Sequence, residues 1–289
     1  MSGGTLPKRT VAAALLLALV AGCGSRDAGR MTNSLFNPQE IPLETYSAEQ
    51  IFERGEFEIS RNDMAEAATY FGEIERLYPY SDWARRALIM QAYAYHEDKD
   101  YPSSRAAAQR FIDFYPDDQD AAYAQYLLAL SYYDQIDEVG RDQGLTFEAL
   151  QALRDVIERY PDSDYARSAT LKFDLAFDHL AGKEMEVGRY YLRRDHFAAS
   201  INRFRTVVED FQTTSHTPEA LHRLVEAYLS LGLTDEAQTA GAILGHNYRS
   251  SDWYEDSYKM LTGQGLTLEA AGDSWLRQVY RQTLKGSWL

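Results

Sequence analysis

The sequence predicts an all-α fold, an α-solenoid of about five tetratricopeptide-like helix pairs, and three observations carry that expectation. The first is a recurring phrase in which a helix tail ends on an aromatic residue and proline, followed by an acidic or serine-rich turn. It reads Glu75-Arg76-Leu77-Tyr78-Pro79-Tyr80-Ser81, then Asp113-Phe114-Tyr115-Pro116-Asp117-Asp118, then Glu158-Arg159-Tyr160-Pro161-Asp162-Ser163. Two further copies, Phe211-Gln212 and Tyr248-Arg249, lack the proline. The second observation is spacing: Pro79, Pro116, Pro161, Gln212 and Arg249 stand 37, 45, 51 and 37 residues apart, the period of a helix-turn-helix array. The third is register. Counting back from Pro79 puts Gly55, Ala67 and Phe71 at the small, small and aromatic positions of the tetratricopeptide pattern; Pro116 gives Ala92, Tyr95, Ser104 and Ala108. Gln212 gives Gly188, Tyr191, Ser200 and Phe204, and the fifth unit gives Tyr228 and Ala237.

The elements follow in order from physical causes. Residues 1–22 read as an export signal, since Lys8 and Arg9 precede the apolar stretch Val11–Val20, too short to span a bilayer. That stretch ends in Leu19-Val20-Ala21-Gly22-Cys23, and Cys23 is the only cysteine. Small residues before a thiol that can be acylated are similar to the bacterial lipoprotein signal. An ordinary signal peptide with an incidental cysteine is the alternative. Two or more acyl chains at about 0.8 kcal/mol per methylene give stable anchoring. Gly24 and Ser25 follow the cysteine, and the absence of Asp there favours the outer membrane over the inner. Residues 23–44 are polar and hold Pro38 and Pro42; as a coil of about 20 residues they reach roughly 25 Å, enough for a tether.

Residues 45–161 are expected to form three N-terminal repeats and residues 162–262 two C-terminal ones. Proline cannot continue a helix and pushes the preceding residue toward an extended conformation, so each Tyr-Pro closes a second helix, and the Ser or Asp beyond it caps the next. The 45-residue interval carries an insertion around Asp134–Thr146, where Gly140 and Gly144 mark an exposed loop. The 51-residue interval lengthens its first helix instead, because Asp164–Arg194 holds no proline. In the tail, 263–289, Trp275, Leu276, Val279 and Tyr280 fall on one side of a short helix from Ser274 to Leu284, readable as the end cap that stacked repeats require.

Composition narrows function. Removing residues 1–22, which hold Lys8, Arg9 and no acid, takes the formal charge from −15 to −17, poorly suited to nucleic acid. No catalytic residue, metal ligand set or cofactor motif emerges. The histidines at 96, 179, 196, 216, 222 and 246 form no His-Glu-x-x-His pair, and neither a phosphate loop nor a Gly-x-Ser-x-Gly elbow occurs. The first helices of such arrays line the concave face, where residues three or four apart project together. With Gly55, Ala92 and Ala129 taken as equivalent, the inward stripe is Phe52 and Ile59, then Ile89, Tyr93 and His96, then Tyr126, Leu130 and Tyr133. This predicts an aromatic trough for a peptide with bulky side chains; a register one residue off would make the same residues inter-repeat core. Arg193-Arg194-Asp195-His196 joins two helices of the fourth unit, either as cations at a helix C-terminus or as a partner contact.

From Cys23 to about Leu261 the chain resembles the BamD family of outer-membrane assembly lipoproteins. The most specific match is Ala181–Phe204, with its Gly188-Arg189-Tyr190-Tyr191-Leu192-Arg193-Arg194-Asp195-His196 core; a second is Gly140–Ala149. The resemblance implies a lipid anchor at Cys23, a place on the periplasmic face of the outer membrane, and membership of the complex that inserts β-barrel proteins, beside its other lipoproteins. It also implies that the C-terminal repeats dock on a POTRA domain of the barrel subunit BamA, with Arg203 in contact and Arg193 and Arg194 nearby. The N-terminal repeats would receive the C-terminal strand of unfolded barrel substrates. A repeat scaffold of the cell-wall or division machinery is the alternative.

Overall fold

The computed structural model describes residues 42–136 and 143–288, so Cys23 and Gly140 lie outside the described residues. The chain divides into two compact units, Met1–Ser47 and Ala48–Leu289. Of the first, the described part is a 3-10 turn, Leu43–Thr45, closed by the Thr45 hydroxyl on the Pro42 carbonyl at 2.8 Å.

Every regular element among the described residues of the second unit is a helix. Five pairs run α1 (Ala48–Ser60) and α2 (Met64–Leu77), α3 (Asp82–Glu97) and α4 (Tyr101–Phe114), α5 (Ala121–Tyr133) and α6 (Gly144–Arg159), α7 (Asp164–Leu192) and α8 (Phe197–Asp210), α9 (Thr217–Ser230) and α10 (Thr234–Asn247). Then come α11 (Asp252–Gly263) and α12 (Trp275–Leu284). Each helix packs on the next in sequence from α1 to α11, and first helices also stack directly, α1 on α3, α3 on α5, α5 on α7 and α9 on α11. This is the expected all-α solenoid.

Two kinds of turn build it. Within four of the pairs the chain reverses through a left-handed residue, Asn62 (φ 63°), Lys99 (63°), Asp195 (59°) or Gly232 (74°). The next residue donates its N–H to the carbonyl five positions back, Asp63 to Glu58, Asp100 to Tyr95, His196 to Tyr191 and Leu233 to Tyr228, at 2.9–3.0 Å. That bond satisfies carbonyls left open at a helix C-terminus. Between pairs the helix stops on the recurring aromatic residue. Tyr78, Tyr115, Tyr160, Phe211 and Tyr248 all sit at C-caps with φ between −133° and −127°. Three residues on, Ser81, Ser163 and Ser251 each donate Oγ–H to the aromatic residue's carbonyl at 2.8 Å, and each accepts an N–H from the new helix at 3.1–3.2 Å. In the fourth copy Thr214 Oγ1 donates to the Phe211 carbonyl at 2.8 Å. The hydroxyl holds the turn, which explains why two copies dispense with proline.

Close packing inside a pair depends on a missing side chain. A Cβ at Gly55 would stand 2.6 Å from Cε1 of Phe71, and one at Gly188 would collide with the Phe204 ring. Both phenylalanines are wholly buried, so each ring fills the hollow that its glycine leaves.

The expected long helix is present as α7, 29 residues from Asp164 to Leu192. The insertion loop ends sooner than expected. Gly144 opens α6 and Thr146 is already buried in it, because the helix face bearing Thr146, Ala149 and Leu150 has a core to enter. At the far end Leu276 and Val279 of α12 join the core formed with Leu221, Ile243 and Leu261, and Trp275 Nε1–H donates to the Tyr228 hydroxyl at 3.0 Å. The tail helix therefore closes the last apolar face.

Candidate functional site

The stacking of first helices fixes which side chains are available to a ligand. Two residues after each capping serine stands an aromatic residue, in Ser81-Asp82-Trp83, Ser163-Asp164-Tyr165 and Ser251-Asp252-Trp253. Each ring packs on the preceding first helix: Trp83 on Phe52 at 5.0 Å between centroids, Tyr165 on Tyr126 at 5.5 Å and Trp253 on His222 at 5.2 Å. The positions occupied by Phe52, Ile89 and Tyr126 therefore face the next repeat as much as the groove. Phe52 is 3% exposed, held between Phe71 and Trp83, and Ile89 is 7% exposed in the core of the second pair. Both leave the expected trough. The apolar stripe needed to stack repeats has the same spacing as one needed to face a peptide.

The remaining trough residues, Tyr93, Tyr126, Leu130 and Tyr133, are half-buried, as are Ile59 and Tyr165. All but Ile59, which lies on α1, belong to a strip across α3, α5 and α7. Tyr165 also packs on Tyr123 at 5.2 Å, and the Lys172 ammonium lies 4.6 Å from the Tyr133 ring centre. Burial raises the pKa of the Tyr123 hydroxyl, with Tyr165, Tyr93 and Glu97 adding to it. Burial also raises that of Tyr126, opposed by a hydrogen bond with Ser168, and that of Tyr133, helped by Asp134. These phenols stay neutral, so the strip offers broad rings with uncharged polar tips. Rings with few rotatable bonds lose little entropy on contact, which suits them to hold apolar segments. His96 is buried at its edge, Nε2 3.1 Å from Asp134 and the ring on Tyr101 at 5.5 Å.

A second cluster lies on the fourth pair. Arg203 of α8 donates from Nη1 to both carboxylate oxygens of Glu184 on α7, at 3.4 and 3.1 Å, and remains 46% exposed. Arg193 caps α7, and Arg194 follows with its guanidinium carbon 4.1 Å from the Tyr190 ring centre and Nη1 donating to the Tyr190 hydroxyl. Both arginines and Tyr190 are exposed. Among the described residues no group of His, Cys, Asp and Glu is arranged to hold a metal ion, and no helix is long and apolar enough to cross a membrane.

The family model described as YfiO, outer membrane lipoprotein, matches residues 44–243 of this chain. The span takes in all five pairs up to the middle of α10, including both clusters. The chain belongs to the BamD family. Among relatives named outer membrane protein assembly factor BamD, that of Caulobacter vibrioides is 46% identical over 90% of this chain and 82% of its own length. The one from Rickettsia prowazekii is 41% identical over 73% and 84%. That of Neisseria meningitidis serogroup A is 29% identical over 74% and 84%. In the family's matched span, sequence reasoning overlooked Tyr123 and Tyr165. The repeated Ser-Asp-aromatic triplet was the available signal, because it fixes an aromatic residue just inside each new first helix.

One joint in the C-terminal repeats is set to respond to acid. His222 of α9 is buried, its Nδ1 2.8 Å from Ser257 Oγ on α11 and its ring on Trp253. Burial holds its pKa below the ordinary histidine value, Arg223 lowers it further, and Glu226, Asp256 and Glu219 oppose. The unfolded chain then binds the proton more readily, so the stability that neutral His222 contributes is complete above about pH 6.5 and lost as pH falls through the folded value. Urea midpoints from pH 7.5 to 5 should fall less steeply in His222→Gln than in the parent. Equal slopes would assign the acid response to other groups.

Proposed function

We propose that this chain is a non-catalytic, lipid-anchored adaptor of β-barrel assembly on the periplasmic face of the outer membrane, held by acyl chains on Cys23. Its C-terminal repeats dock on a POTRA domain of BamA through Arg203, with Arg193 and Arg194 alongside, within a complex that includes other lipoproteins. Its N-terminal repeats hold the C-terminal segment of unfolded barrel substrates on Tyr93, Tyr126, Leu130 and Tyr133. The observation that carries this reading is the 46% identity over 90% of the chain with a protein named as an outer membrane assembly factor. The half-exposed tyrosine strip supports the substrate role, since aromatic surfaces with polar tips accept many apolar sequences.

Substrate contact is tested by replacing Tyr93, Tyr126 and Tyr133 together with Ser and crosslinking the full chain to a peptide from a barrel C-terminus. The rings are partly buried, so some stability is lost, yet a helical circular dichroism spectrum at 25 °C should remain while crosslinking falls at least ten-fold. Undiminished crosslinking would remove these tyrosines from the site.

A further inference from the structure

The interval of 51 residues between Pro161 and Gln212 leaves a gap in the stacking of first helices. Ser163 caps α7 as Ser81 caps α3, and from those caps Leu171 matches Ile89 and Leu175 matches Tyr93, eight and twelve residues on. In α3 Ile89 lies in the core that α3 shares with the next first helix and is 7% exposed, and Tyr93 is half-buried beside it. Leu171 is 67% exposed and Leu175 is 63% exposed. The cause is the length of α7. A regular unit would turn back after about four helical turns and bring another first helix alongside; α7 runs on to Leu192 instead. The following first helix, α9, starts only at Thr217. Its approach is fixed there by Ser215, whose N–H and Oγ–H donate to Asp178 Oδ1 at 3.0 and 2.8 Å, and by His216 Nε2 at 3.4 Å from the same carboxylate. Alongside residues 164–178, ahead of the N-terminus of α9, a slot about 20 Å long at 1.5 Å per residue has no helix in it among the described residues.

We propose that this slot is a docking surface for an amphipathic α-helix of a partner protein, which takes the place of the missing first helix. The surface continues an interface that the array makes with helices at four other joints, α1 with α3, α3 with α5, α5 with α7 and α9 with α11. At three of the joints described above the covering helix presents an aromatic ring, Trp83, Tyr165 or Trp253. The same chemistry fits here: an aromatic or large apolar residue on Leu171, a second four residues away on Leu175, and a basic residue facing exposed Asp174. What the tyrosine strip binds does not enter into this assignment.

The test introduces a photo-reactive residue in the full chain in cells, as Leu171→benzoylphenylalanine, Leu175→benzoylphenylalanine and, at an exposed position in the otherwise largely buried second half of α7, Glu186→benzoylphenylalanine. Positions 171 and 175 should crosslink to one segment with apolar residues three or four apart, at least ten-fold above position 186. Asp174→Lys should cut that yield at least five-fold. Because Leu171 and Leu175 are exposed, the Leu171→Asp/Leu175→Asp variant should keep its melting temperature within about two degrees while losing the partner. Crosslinks to a second copy of this chain, to lipid or to an extended segment would overturn the proposal, as would yields equal to position 186, an unchanged yield in Asp174→Lys, or unfolding of the Leu171→Asp/Leu175→Asp variant.

Discussion

Phe204→Ala should destabilise the chain by about 3–5 kcal/mol, the range for emptying a wholly buried aromatic site. The ring sits against Gly188 of the facing helix, and the same apolar cluster holds Met185, Val207, Leu221 and Leu224. Nothing nearby can refill the hollow, because the residue opposite has no side chain to extend. Since each unit in a stacked array touches only its neighbours, the loss should uncouple the fourth pair from the fifth. Urea unfolding followed by circular dichroism should show a much lower first midpoint and a transition that broadens or splits. Phe147→Ala provides the control, because that ring on α6 is exposed and surface substitutions change stability by about 0.5 kcal/mol or less. Equal midpoints for the two variants would contradict the packing described for the fourth pair.

Arg203→Glu should weaken docking by about 2–5 kcal/mol, roughly thirty-fold or more in affinity, if a partner carboxylate is desolvated against the guanidinium. Arginine carries five donors, and the bonds to Glu184 come from Nη1, so the remaining donors can meet a second acid. Folding should change little, because the internal pair is half-exposed and such pairs contribute at most about 1 kcal/mol. A double variant separates the roles. Arg203→Glu with Glu184→Arg restores the internal ion pair with its polarity reversed, so stability should recover while docking stays lost. Recovery of docking in the double variant would mean that Arg203 acts only by holding α8 to α7.

Much of this arrangement was legible because proline, glycine and serine leave positional marks. The Tyr-Pro phrases located the turns between pairs, Gly55 and Gly188 located the close approaches, and the proline-free run after Asp164 gave the long helix. The facing direction of the apolar stripe was not legible. Counted from their capping serines, Ile89 and Leu171 hold corresponding places on their helices, yet the first is buried and the second is bare. What differs is whether the chain later supplies a helix to cover them, a property of α7 and its continuation rather than of the residues themselves. Arg203 illustrates the same limit, since its Glu184 partner lies 19 positions earlier and no local spacing rule connects them.

The most direct measurement of the assembly role is gentle detergent extraction of outer membranes containing the full, tagged chain, followed by affinity capture and quantification of BamA against peptidoglycan-associated proteins. The adaptor reading predicts near-stoichiometric BamA with the parent chain and its loss with Arg203→Glu. Capture without BamA, or co-isolation with peptidoglycan in its place, would contradict that reading.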